Sequence, residues 1–311
     1  MANITFEQQD YPNVQGETVL DTLLQQRIEL PYGCRSGVCQ ACLMQCTQGQ
    51  PGRTAQQGLS SQQQAQGYFL PCSCVPTTDL TVQRPPLACR YHSKILATDQ
   101  LTANVLRLRF SSPIPFQPGQ SLQLNINNVQ RRYSIASVPP QQAYIEVHIE
   151  CRPSGQFSHL AQQLQVGDPI LLSSAHGDCT YNAVSAQQPL LLIGHNTGLA
   201  PLYGLAQQAL QHGHQADINL IHACQPQQFY LESELRTLAQ QYPQFHLHQL
   251  PLFDNPTAEI ATYLKLNWPQ LQLQRLWLAG SEPLLNAVAK SAFIQGAKRQ
   301  QIHIEAFSST H

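Results

Sequence analysis

Cysteine placement constrains this chain more than any other feature of its sequence. Six of the ten cysteines lie between Cys34 and Cys74, and the other four are scattered through the remainder of the 311 residues. Structural disulfides do not account for such a cluster in a reducing compartment, whereas a metal centre does. In PYGCRSGVCQACL, Cys34, Cys39 and Cys42 stand at C-x4-C-x2-C, and FLPCSC supplies Cys72 well downstream. Structural zinc usually takes two C-x2-C pairs. Three thiols in one tight loop and one distant thiol suit a 2Fe–2S cluster instead. Such a loop must bring backbone N–H groups close to the cluster sulfurs, and Gly33 and Gly37 permit close approach and positive φ. Cys74 is the rival for the fourth ligand position. Cys46, Cys89, Cys151, Cys179 and Cys224 read as small buried apolar residues.

The length calls for two or three domains. Apolar residues make up 42% and charged residues only 11%, so the chain is globular, with glutamine supplying polarity in every region. A net charge of −1 without a basic block gives nucleic acid or an anionic membrane no electrostatic hold. The opening MANITFEQQDYPNVQG has no apolar h-region. No apolar run approaches the ~20 residues that cross a bilayer. A cytoplasmic location is the expectation.

RPPLACR (84–90) reads as a linker, because paired prolines continue neither a helix nor an inner strand. Before it, NITFEQ and DLTVQR read as strands and ETVLDTLLQQR as a helix. After it, VLRLRFSS, QSLQLNIN, RRYSIAS and AYIEVHIEC alternate apolar and polar residues like half-buried antiparallel strands. From about residue 188, short apolar runs (PLLLIG, INLIHAC, FHLHQL, RLWLAG) alternate with amphipathic stretches, the mark of a parallel α/β sheet. The fold class expected is multidomain α+β and α/β, divided at 1–86, 87–186 and 187–311.

On the strand RRYSIAS, alternation places Arg131 and Tyr133 on one face. An aromatic ring there can cover an isoalloxazine while the guanidinium pairs with a pyrophosphate, and Ser134 would lie near the flavin N5. Downstream, SGQFSHLAQQLQVGD reads as a turn into a helix N-terminus, where Gly155 and Ser158 would offer a backbone N–H and a hydroxyl to phosphate. His148 and Ile149 on AYIEVHIEC are further candidate cofactor contacts. LLLIGHNTGLAPLYGL is a strand, a turn and a helix with Pro201 early in the helix. It would aim a helix N-terminus at a second pyrophosphate, contacted by Gly194, Thr197 and Gly198, with Gly280 of LWLAGSEPLL beside the same crevice.

With these three motifs in order, the chain resembles the ferredoxin–NAD(P)+ reductase superfamily in the arrangement with an N-terminal plant-type 2Fe–2S ferredoxin, typical of reductase components of bacterial oxygenases. The likeness covers about residues 3–307. L-x-C-x-x-x-P-T-x-D, from Leu70 to Asp79, is similar to the end of plant-type ferredoxins and favours Cys72 over Cys74. The resemblance implies a β-grasp-like ferredoxin domain, an antiparallel FAD-binding barrel and a parallel-sheet nucleotide domain. It implies FAD and NADH (or NADPH), with two electrons entering the flavin and leaving singly for the cluster. It implies an electron-acceptor protein, such as an oxygenase component, as partner. Tyr133, Ser134, Glu305 and Phe307 would stand nearest the chemistry.

Three positions depart from the family pattern. His195 and Asn196 replace the glycine pair before Thr-Gly, Ala279 stands where a cysteine often sits, and Ala223-Cys224-Gln225 replaces G-x-R. The missing arginine favours NADH over NADPH. The other two leave room for a different function, an electron carrier or redox sensor with an impaired nicotinamide site. A reductase serving deoxysugar biosynthesis is a further alternative.

Overall fold

The computed structural model describes residues 2–307 except 31, 33, 38, 39, 41, 60, 86–90 and 182–184. Gly33, Cys39, Cys89 and most of the expected linker therefore lie outside the described residues. The rest forms two compact units, one on each side of the 86–90 stretch.

The first unit is a β-grasp-like mixed sheet. Its strands are β1 (Asn3–Phe6), β2 (Gln9–Pro12), β3 (Met44–Gln48), β4 (Tyr68–Phe69) and β5 (Leu80–Gln83), in the order β2-β1-β5-β3-β4. Among the described residues, only β1 and β5 pair in parallel. Helix α1 (Val19–Gln25) starts where the Thr18 hydroxyl accepts the Asp21 N–H at 3.1 Å, an N-cap that satisfies an otherwise orphaned donor. Val19, Leu20 and Leu23 of α1 pack on Ile4, Phe6, Leu80 and Val82 of the sheet. A short helix, α2 (Ser61–Ala65), precedes β4.

The second unit begins with an antiparallel sheet of six strands: β6 (Tyr91–Thr102), β7 (Val105–Ser111), β8 (Ser121–Ile126), β9 (Val129–Ser134), β10 (Tyr144–Glu150) and β11 (Pro169–Leu172). Their order is β10-β7-β6-β11-β8-β9. The expected alternation holds in β7, where Leu106, Leu108 and Phe110 face a core shared with Leu122, Leu124, Ile145 and Val147. The long β6 escaped sequence reading because its inward side carries Ser93 as well as Ile95 while Leu96 faces outward, which breaks the apolar–polar alternation. Helix α3 (Gln156–Gln162) lies between β10 and β11.

The unit ends in a wholly parallel sheet. Its elements are β12 (Leu190–His195), α4 (Leu199–Gln211), β13 (Ile218–Cys224), α5 (Glu232–Gln241), β14 (Phe245–Pro251), α6 (Pro256–Asn267), β15 (Arg275–Ser281), α7 (Glu282–Ile294) and β16 (Ile302–Phe307). Strand order is β14-β13-β12-β15-β16. Leu190 and Leu192 meet α4 on one face, while Leu191 and Ile193 meet residues of α6 and α7 on the other. Burial on both faces is why PLLLIG reads as an unbroken apolar run. Because the chain leaves β12 for β13 on one side and returns at β15 on the other, the strand order reverses at β12. That switch opens a crevice at the carboxyl ends of β12 and β15.

Candidate functional site

Three of the four cysteines expected to hold the cluster are described, and they lie on two segments that the first unit brings together. Cys42 and Cys72 approach to 3.4 Å between their sulfurs, and the Ser36 N–H donates to Cys34 Sγ at 3.4 Å. Cys39 lies outside the described residues. A hydrogen bond with the Cys42 thiol, joined by the Ser73 hydroxyl and the Gly37 N–H, pulls the Cys72 thiol down to about 7 against burial and nearby Cys34. Gly37 has φ +77°, a conformation that favours glycine, and a Cβ there would meet Ser73 Oγ at 2.7 Å. Converging thiols surrounded by N–H and O–H donors fit a 2Fe–2S cluster. Cys74 turns the other way and donates to the Pro51 carbonyl at 3.2 Å, its thiol pushed up to about 12 by burial and Cys46. Cys46 donates to the Gln48 carbonyl at 3.1 Å.

In the barrel, β9 pairs with β8 so that Leu122 faces Tyr133 and Leu124 faces Arg131. The Tyr133 ring rests 5.2 Å from Phe157 of α3. Burial pushes its phenol up against the opposing pull of the Arg131 and Arg152 guanidinium groups. Two cations beside one aromatic ring and the start of α3 suit a dinucleotide with a negatively charged centre and a planar ring. Ser134 is buried at the end of β9.

Ile149 is wholly buried in the barrel core, and the His148 ring is held between Glu146 and Tyr230. What β10 offers is backbone. Ala136 donates to the Glu146 carbonyl at 2.9 Å and the Glu146 N–H donates to Ser137 Oγ at 3.0 Å, so Glu146 turns both groups away from β7. Antiparallel alternation gives His148, two residues on, the same orientation.

Gly155 also differs from expectation: its N–H donates to the Arg152 carbonyl at 3.0 Å, and the Ser158 hydroxyl donates to the Gly155 carbonyl at 2.9 Å. Both close the turn. Helix geometry gives the first N–H groups of α3 no intrahelical partner. Arg152, which sequence reading did not single out, follows β10 and pairs with Glu150 Oε2 at 2.9 Å.

At the sheet switch, Asn196 adopts φ +52°, the left-handed conformation asparagine tolerates. A Cβ on Gly194 would lie 2.9 Å from the Leu199 nitrogen, and one on Gly198 would run into the Ala279 carbonyl. These glycines therefore serve chain-on-chain packing, bringing α4 tightly onto β12 and β15. An anion would meet the N–H groups that open the turn and α4, next to buried Thr197. Gly280, at φ +142°, leaves room for His195, whose Nδ1 lies 3.1 Å from Ser281 Oγ. Ala279 is fully buried on the α4 side of the sheet. Glu305 and Phe307 lie half-buried on edge strand β16, opposite Ala279 and Ser281, with Glu305 beside Cys179.

Three family models match in order: a 2Fe-2S iron-sulfur cluster binding domain over residues 3–77, an oxidoreductase FAD-binding domain over 92–181 and an oxidoreductase NAD-binding domain over 192–270. Among curated relatives, reductase component 2 of terephthalate 1,2-dioxygenase from Comamonas sp is 26% identical, across 96% of this chain and 94% of its own length. The reductase component of the naphthalene 1,2-dioxygenase/salicylate 5-hydroxylase systems from Ralstonia sp is 27% identical, across 94% of each chain. Among solved structures, an Amycolatopsis cytochrome P450 reductase superposes with TM-score 0.66 at 22% identity, covering 99% of both chains. The ferredoxin reductase of carbazole 1,9a-dioxygenase gives 0.65 at 22%, covering 99% of this chain and 98% of that one; these likenesses speak to fold. With those three models in that order on a matching fold, the chain belongs to the ferredoxin–NAD(P)+ reductase superfamily, in the arrangement that begins with a 2Fe–2S ferredoxin domain.

Proposed function

We propose that the protein is an NADH-dependent reductase passing electrons from NADH through FAD and a 2Fe–2S cluster to a partner protein, an oxygenase component. The observation that carries this reading is the order of the three cofactor domains in one chain, shared over almost the whole length with oxygenase reductases. FAD supplies the conversion between two-electron input and one-electron output. Division at 1–86, 87–186 and 187–311 would give each domain one cofactor.

Within the proposal, Cys34, Cys39, Cys42 and Cys72 hold the cluster, and the Ser36 and Gly37 N–H groups stabilise charge on its sulfurs. Arg131 and Arg152 neutralise the FAD pyrophosphate, and Tyr133 covers its ring and excludes water. The N-terminal turn of α4 binds the NADH pyrophosphate. Gln225, standing where a cation would meet a 2′-phosphate, favours NADH over NADPH. Among the described residues no helix is long and apolar enough to cross a membrane. The cytoplasm, where thiols stay reduced for ligation, is the proposed location.

Anaerobic stopped-flow mixing with NADH tests the reading, with flavin and cluster absorbance followed together. Flavin absorbance should fall first and cluster absorbance second. If millimolar NADH and NADPH leave both centres oxidised while dithionite reduces them, the protein is a carrier and not a reductase.

A further inference from the structure

We infer that Tyr230, at the boundary between the barrel and the parallel sheet, is a positioning residue for transfer from nicotinamide to flavin, with Gly204 setting the same boundary from α4. The inference rests on the reductase reading above.

Tyr230 lies in the segment between β13 and α5 and is 3% exposed. Its hydroxyl is 3.3 Å from His148 Nδ1, and His148 Nε2 is 3.0 Å from Glu146 Oε1. Arg109 then closes on Glu146 at 2.6 Å. His148 is the residue whose backbone faces the edge of β10 beside the candidate flavin strand. The Tyr230 ring also meets the nucleotide sheet. His222 stands edge-on to it at 5.2 Å, is fully buried and pairs directly with Gly194 of the nucleotide turn. One side chain thus touches both the residue that carries the flavin-side edge and the residue paired with the nicotinamide-side turn.

Two further contacts fix the same boundary. Arg107 of β7 reaches Glu234 of α5 at 3.4 Å. A Cβ on Gly204 would sit 2.7 Å from the Ala136 carbonyl, two residues beyond Ser134, so α4 touches the flavin strand's continuation only because residue 204 is glycine. Leu231, next to Tyr230, holds φ +56°. A branched residue keeps that conformation only when its surroundings over-determine it. Catalysis by positioning is sensitive to small displacements, since about 1 Å can cost on the order of 100-fold.

Tyr230→Phe keeps the ring and its edge contacts and removes only the hydroxyl. Flavin reduction at saturating NADH should slow about tenfold, while FAD content and dithionite reduction of the cluster stay as in the wild type. Backbone amides of residues 225–235 should exchange faster with deuterium in flavin-free protein, and those of the ferredoxin unit should not. Gly204→Ala, which pushes on backbone, should slow flavin reduction in the same way and provides an independent arm. Wild-type protein that NADH cannot reduce would refute the reductase reading itself. A wild type that works beside Tyr230→Phe and Gly204→Ala rates within about twofold of it would overturn this inference, as would loss of FAD from Tyr230→Phe on dialysis.

Discussion

Cys72 and Cys74 flank a single serine, and the turn between them sends their thiols to different places, one toward Cys42 and the other to the Pro51 carbonyl. Cys72→Ser should therefore abolish or strongly shift the visible spectrum of the cluster, while Cys74→Ser leaves it intact; the reverse pattern would assign the ligand to Cys74. Arg131 makes a comparably local claim. Its guanidinium donates to the neighbouring Gln130 carbonyl at 2.8 Å, and its charge lies near the Tyr133 ring. Losing a charged hydrogen bond to a pyrophosphate costs about 1.5–3 kcal/mol, so Arg131→Ala should weaken FAD binding roughly 10- to 150-fold. Equilibrium dialysis checks this, and full FAD retention would mean that the arginine does not hold the phosphate.

Among the elements, β10 departs furthest from its sequence pattern. Glu146 and His148 have the strand period of outward, solvated residues, yet they are 3% and 4% exposed because the parallel-sheet lobe covers them. Burial alone would raise the Glu146 carboxyl, but His148 and Arg109 outweigh it and hold the group down at about 2, below its ordinary 4.5. The sign follows from linkage: a depressed carboxylate contributes stability above its unfolded pKa and loses it as pH falls through the folded one. Thermal unfolding of the holoprotein should therefore show a loss of stability as pH drops from 4.5 toward 2. Glu146→Gln should flatten that slope and lower the melting temperature at neutral pH, because Arg109 loses its 2.6 Å carboxylate partner and keeps only the longer contact to Asp99 at 3.8 Å. An unchanged pH profile would show that the network contributes nothing to stability. At the start of α4, His195 fills the space above Gly280 and reaches Ser281. His195→Gly should change the affinity for NADH more than the maximal rate of flavin reduction, as titration with NAD+ and stopped-flow would separate.

For the whole molecule, three cofactor domains follow one another along the chain, and the order of reduction tests that sequence of tasks. The coenzyme preference belongs to this scale as well, since it depends on which residue follows β13. Without a cation at Gln225 for the 2′-phosphate, NADH should be preferred over NADPH about 10- to 100-fold in kcat/KM, the size of one charged hydrogen bond. Equal use of both would place the discriminating contact elsewhere.

The sequence alone determined what is local. Cysteine spacing marks a cluster loop, since ligands on one turn must be neighbours in the chain. The unbroken apolar runs mark a parallel sheet because both its faces are covered, and Arg131 and Tyr133 share a strand face because the period is two. Tertiary structure decided what covers each face and what fills each gap. Ile149 turns inward, the His148 ring meets Tyr230 from a segment 82 positions away, and Gly194 and Gly198 yield their space to the protein's own backbone. Periodicity specifies that two side chains point the same way. It carries no information about which distant segment arrives to meet them, because that depends on how the lobes pack and not on the strand itself.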